Sequence, residues 1–157
     1  MKKTFIFLSI FITLAASRFL PHPPNFTSLI ALSFYVPAIF GFSYIPALLI
    51  SFVITDIFIG FHSTVLFTWG SVLIISFLAS KYFFNSVFSR LSGALIGGCI
   101  FFIITNFGVW LTGNIYDYTF DGFIKCYILA IPFFTYSLLS TVFFSIIFEC
   151  ILKLYQP

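Results

Sequence analysis

Arg18-Phe19-Leu20-Pro21-His22-Pro23-Pro24-Asn25-Phe26-Thr27 breaks an otherwise almost continuous apolar sequence. Within this stretch stand a guanidinium, an imidazole, an amide and three prolines. Proline has no backbone N–H and restricts the residue before it, so the stretch does not easily continue a helix. It divides the chain into a helical segment before it and a set of helical segments after it. The prolines are expected to hold it extended, as a stiff cap across one face of the helical bundle.

The surroundings decide what that face is. The chain is 61% hydrophobic and only 7% charged, with a mean hydropathy of +1.17. A soluble domain carries about 25% charged residues. Too few are present here to cover a surface in water, so the sequence describes an all-α integral membrane protein. Its 157 residues leave room for one transmembrane domain and no soluble one.

A membrane span takes about 20 apolar residues. On that rule six segments are expected, at about 3–19, 26–41, 45–61, 63–82, 90–112 and 124–154, forming a compact six-helix bundle. The second is short and contains Pro37, which leaves a re-entrant form open. Pro46 suits the first turn of the third, and Pro132 is expected to kink the sixth. Met1-Lys2-Lys3, an apolar run and Leu14-Ala15-Ala16-Ser17 resemble a secretory signal. A retained first helix is expected instead, because the chain stays in the membrane afterwards.

The cations orient the bundle. With the N-terminus in the cytoplasm, Lys2, Lys3, Lys81, Arg90 and Lys153 lie inside, and only Arg18 and Lys125 outside. This agrees with the positive-inside rule. Both termini are then cytoplasmic, and the Arg18–Thr27 stretch lies on the outer face. The expected location is a bacterial inner membrane, multi-pass. No basic cluster is dense enough for nucleic acid.

Several polar residues stand where apolar ones are expected. Asp56 lies roughly 8 Å below the outer end of the third segment, and Asn106 roughly 9 Å below that of the fifth. Arg18 and His22 approach from the end of the first segment, and His62 closes the third. Asn106, Trp110 and Asn114 follow i, i+4, i+8 spacing, and so share one face if the helix continues that far. Ionisable residues inside a membrane usually face the bundle interior and are paired or functional. Asp56 is therefore read as a salt bridge to Arg18 and as part of a ligand site, two compatible readings because a ligand can replace one partner. The candidate binding set is Arg18, His22, Asn25, Asp56, His62, Asn106, Trp110, Asn114 and Tyr116. Arg18 or His22 would hold an anionic group and Asp56 an amine or ring N–H. Asn106 and Asn114 would orient the ligand, and Trp110 and Tyr116 would stack on it.

Other patterns carry less. Cys99, Cys126 and Cys150 are widely spaced and form no ligand pattern, and His22 and His62 lack metal-site spacing, so no metal or cofactor is expected. Glu149 stands four residues before Lys153, the favoured order for a helical ion pair. Gly93-xxx-Gly97, Ser9-xxx-Thr13-xxx-Ser17 and Ser137-xxx-Thr141-xxx-Ser145 put small residues on helix faces, for packing within the bundle or for docking another subunit. No phosphate-binding loop, G-x-S-x-G or H-E-x-x-H is present, and the inner half lacks polar groups along a path. The chain is expected to capture a ligand and not to transport it unaided.

The Arg18–Thr27 stretch resembles an uncharacterised family of small bacterial membrane proteins. So do Asp56-Ile57-Phe58-Ile59-Gly60-Phe61-His62, Thr105-Asn106-Phe107-Gly108-Val109-Trp110 and the run from Cys126-Tyr127 to Pro132-Phe133-Phe134. That family is similar to the S components of energy-coupling factor transporters. The resemblance implies six helices with a vitamin-type ligand held outside, under the first external loop. It also implies a transmembrane coupling subunit and two cytoplasmic ATPases as partners. Where S components often show Ala-xxx-Ala on the first helix, Ser9, Thr13 and Ser17 stand here. Where the cobalt and nickel branch has a histidine, position 2 is Lys2.

The leading expectation is a non-enzymatic substrate-capture subunit for uptake of a small polar organic nutrient. A small structural or accessory subunit of a larger membrane complex is the alternative. A membrane enzyme using His22 or His62 as general base is a third reading.

Overall fold

With no water to serve the backbone, an apolar chain satisfies its N–H and C=O groups within helices. The computed structural model describes residues 2–82 and 85–155. All regular structure in them is helical: α1 (Lys2–Phe19), α2 (Leu29–Phe40), α3 (Ile45–Ile59), α4 (Val65–Lys81), α5 (Val87–Thr112) and α6 (Phe120–Tyr155), with a 3-10 turn at Phe42–Tyr44. Three stretches are long and apolar enough to cross a membrane: Phe42–Ile59, Val87–Thr112 and Phe120–Leu154. These mark a membrane protein. The helices at Leu29–Phe40 and Val65–Lys81 are shorter.

Local chemistry moves several boundaries from their expected places. α3 stops at Ile59 because Gly60 turns away at φ 104°. α5 starts at Val87, earlier than expected, because Ser86 and Ser89 form a reciprocal capping box. α6 begins at Phe120 and continues through Pro132 as one helix of 36 residues. α2 begins only at Leu29, because the residues before it are turning.

The proline stretch is not extended. The Pro23 carbonyl accepts from Phe26 N–H at 3.0 Å, and Asn25 adopts φ 63°. Pro24 then Asn25 at the two central positions is the signature of a type II turn, since proline presets the first φ and asparagine tolerates the second. Nor does the stretch lie flat over the bundle. Ser28 is fully buried, its hydroxyl within hydrogen-bond reach of Ser17 Oγ (2.8 Å) and of the Thr13 carbonyl (3.3 Å) on α1. The Phe26 ring reaches Phe143 and Phe144, past the middle of α6. The expected cap is an exposed turn from Phe19 to Asn25, and only its end, from Phe26 to Ser28, tucks against α1 and α6.

That tucked end leads into a short α2. Its 12 residues span roughly 18 Å, against a hydrocarbon core of about 30 Å. Leu29 through Pro37 are all buried, so α2 is the central helix, apolar on every side, with α4, α5 and α6 packed around it. Pro37 lacks the N–H that would serve the Ser33 carbonyl one turn earlier. Ser76 of α4 supplies the missing donor: its hydroxyl meets Ser33 O at 3.0 Å.

α5 lies between α4 and α6, and glycines set its distance from both. A methyl at Gly97 would stand 3.1 Å from Ile75 of α4, and one at Gly98 3.1 Å from Leu138 of α6. At Gly108 it would run into the Phe67 ring. Ser137, Thr141 and Ser145 of α6 are buried, so that stripe serves packing within the bundle. In the small-residue stripe of α1, the Ser17 hydroxyl and the Thr13 carbonyl meet Ser28, while Ser9 is exposed and bonds its own Phe5 carbonyl.

Glu149 does not depend on Lys153 as expected. Arg90 grips it with two hydrogen bonds, Nε to Oε1 and Nη2 to Oε2, both 2.6 Å, and Tyr35 of α2 donates to Oε1 at 2.9 Å. Glu149 is buried and Lys153 exposed. A planar guanidinium satisfies both oxygens of a buried carboxylate, which a flexible surface ammonium does not.

Ser76→Ala should destabilise the protein by about 1–3 kcal/mol by orphaning the Ser33 carbonyl. Thermal unfolding in detergent measures it. In a Pro37→Ala background the same substitution should cost clearly less, because position 37 then carries its own N–H.

Candidate functional site

The polar residues singled out in the sequence separate into two clusters, with α4 between them. The first is closed upon itself. Arg18, at the end of α1, lies on the α3 face made by Phe52, Thr55 and Asp56. Its Nη2 stands 2.6 Å from Asp56 Oδ1, its Nη1 donates to Thr55 Oγ1 at 2.6 Å, and its guanidinium lies 4.8 Å from the Phe52 ring centroid. The Asp56 side chain is 1% exposed and that of Arg18 14%. Trp69 of α4 donates its indole N–H to Asp56 Oδ2 at 2.7 Å. The Oδ1 contact is an ion pair without a hydrogen bond aligned on that oxygen. The expected salt bridge between Asp56 and Arg18 is formed.

The second cluster surrounds a cavity of about 370 Å³. Its walls are α4, α5 and α6, and it is bordered by all three loops at the end of the bundle opposite the termini. Known ligand sites run from about 300 to 1,000 Å³. Asn25 comes from the proline turn, His62 and Thr64 from the α3–α4 loop, and Tyr116 from the α5–α6 loop. Phe26, next to Asn25, packs on Phe143 and Phe144 of α6, while Asn25 itself is exposed where it borders the cavity. Phe101, Phe102, Phe133 and Phe134 supply flat apolar walls.

Asn106 is the polar group held best for recognition. Its Nδ2 donates to the Phe102 carbonyl at 2.8 Å. This fixes the amide orientation, because the oxygen would be repelled there. Oδ1 and the second N–H remain without partners among the described residues. Two bonds from α6 brace this part of α5: Cys126 Sγ donates to Asn106 O at 3.4 Å and Tyr127 Oη to Ile103 O at 2.7 Å. His62 Nδ1 lies 2.8 Å from Thr64 Oγ1, which steadies the imidazole at the rim.

Of the nine candidate residues, the cavity thus collects Asn25, His62, Asn106 and Tyr116. Arg18 and Asp56 do not line it and hold each other. His22 is exposed, and its Nδ1 lies 2.7 Å from Pro23 O. Asn114 leaves the expected stripe, because α5 ends at Thr112 and Asn114 adopts φ 52°, whereas Trp110 stays on the helix but does not line the cavity. The Trp110 indole N–H donates to Asp117 O at 3.1 Å and its ring meets Phe123 at 5.4 Å, while Asn114 accepts from Tyr118 Oη at 3.2 Å. Both residues fasten the α5–α6 loop. Thr68, Thr105 and Cys126 line the cavity and were not selected from sequence. Thr105 adjoins Asn106, whereas Cys126 carries no signal beyond that of a small apolar residue. Among the described residues no group of three His, Cys, Asp or Glu side chains is arranged to hold a metal.

The chain belongs to a family of unknown function, DUF6580, whose model matches residues 1–157. No curated protein and no solved structure matches it.

Asp56→Asn should destabilise the fold by about 3–5 kcal/mol, since it leaves a cation nearly buried without its counter-charge. Pairing it with Arg18→Met should recover much of that loss in detergent thermal-unfolding measurements. A single variant as stable as the parent would rule out a stabilising ion pair.

Proposed function

We propose that this protein is the substrate-capture subunit of a membrane importer for a small polar organic nutrient. In this reading the six helices form an S-component-like bundle in a bacterial inner membrane, with both termini cytoplasmic. The observation that carries the reading is the asymmetry of the bundle. One end holds a ligand-sized cavity bordered by three loops and containing hydrogen-bonding groups without partners. The other end holds Glu149 clamped by Arg90 and Tyr35, which joins α2, α5 and α6. Such a molecule collects a ligand from the outer face and has no polar route by which to release it inward. Release would need a transmembrane coupling subunit driven by cytoplasmic ATPases, the partners that the sequence resemblance implies.

Within this reading the roles differ from the residue-by-residue expectation. Asn106 and Asn25 orient the ligand, His62 and Tyr116 close over it, and the phenylalanines flank its ring. Arg18 and Asp56 hold α1, α3 and α4 in register beside the site. A small accessory subunit of a larger complex remains the alternative, favoured by the internal use made of Arg18 and Asp56.

Purification of the native protein in mild detergent separates the two. Copurifying ATPases and a released small molecule are expected for the importer. A stoichiometric complex with no ATPase and no released compound would favour the accessory reading. Asn106→Leu should reduce ligand retention by about tenfold or more, with thermal stability within about 1 kcal/mol of the parent.

A further inference from the structure

The cavity is built without a formal charge. Among the described residues no Asp, Glu, Lys or Arg lines it. The bundle does hold buried charges, but each is spent elsewhere. Arg18 and Asp56 face each other across α1 and α3, and Arg90 and Glu149 across α5 and α6. A charged solute entering a largely apolar site gives up its hydration, which costs several kcal/mol unless a counter-charge replaces it. Among the lining residues only the His62 imidazole at the rim could supply one, and only when protonated.

What the cavity offers instead is two-way hydrogen bonding. The Asn106 amide presents a free acceptor oxygen and one free N–H. The Asn25 amide has no side-chain partner among the described residues, and neither has the Tyr116 hydroxyl. An amide with both groups free matches a C=O adjacent to an N–H, the paired edge of a lactam or a carboxamide, in the way that Asn and Gln read a base edge with two bonds. The aromatic walls favour a flat ring carrying that edge.

We propose that the ligand is an uncharged planar ring compound bearing a lactam or carboxamide, read by Asn106 and Asn25. The inference rests on the capture reading and narrows it, because a lining with no Asp, Glu, Lys or Arg disfavours carboxylates, phosphates and organic cations as substrates.

Matched pairs of probes test it. Purified full-length protein is titrated calorimetrically with nicotinamide against nicotinate, and with uracil against orotate. Small molecules released on denaturing the natively purified protein are identified by mass spectrometry, with Asn106→Leu as reference. The expected result is binding of a neutral member at least about tenfold tighter than its anionic partner, or release of a neutral lactam or carboxamide that the variant fails to retain. In the calorimetry Asn106→Asp should lose that preference. Equal or tighter binding of the anionic member, or release of an ionised compound, overturns the inference and leaves the capture reading standing. No probe binding and no compound enriched over the variant overturns both.

Discussion

A carboxylate can stay ionised in a water-poor bundle only with a cation against it, and this requirement shapes the whole molecule. Asp56 meets Arg18 at 2.6 Å, and Trp69 covers its other oxygen. One charge pair thereby fastens the end of α1 to α3 and α3 to α4. At the opposite end, Glu149 takes both arms of Arg90 and the hydroxyl of Tyr35, fastening α5 and α6 to the central helix. These four charges are spent on one another, and among the described residues no Asp, Glu, Lys or Arg lines the cavity.

The second organising demand comes from the backbone. A short central helix containing a proline has a carbonyl with no helical donor, and hydrocarbon supplies none. The Ser76 hydroxyl fills the gap in α2. The proline turn before α2 is tied by Ser17 and Ser28 and anchored on α6 by Phe26. The exposed turn brings Asn25 to the border of the cavity, and its tucked end leads into an α2 of only 12 residues. The polar stretch that interrupts the sequence is thus a wall of the site as well as a connection.

Helix α4 explains why residues expected to act together do not. Thr68 and Trp69 are neighbours in sequence, about 100° apart around a helix of 3.6 residues per turn. Thr68 borders the cavity, and Trp69 bonds Asp56 on the other side. Depth along the bundle, counted from the sequence, put Asp56 and Asn106 at one level. It contains no information about which helix stands between them.

The sequence by itself determined the membrane class, the helical composition, the approximate position of all six helices and the unusual standing of Arg18, Asp56 and Asn106. These follow from composition and from polar groups that hydrocarbon does not tolerate alone. It also named Arg18 as the salt-bridge partner of Asp56, because both stand at the outer side of the bundle. Only the tertiary structure decided that Glu149 belongs to Arg90, that the proline stretch folds into a turn, and that Asn114 leaves the face of α5. The first depends on which helices are neighbours. The second depends on a left-handed residue, Asn25, and the third on where α5 stops. Cys126 and Thr68 joined the site for the same reason. A cavity belongs to the space between helices, and no single segment of sequence contains it.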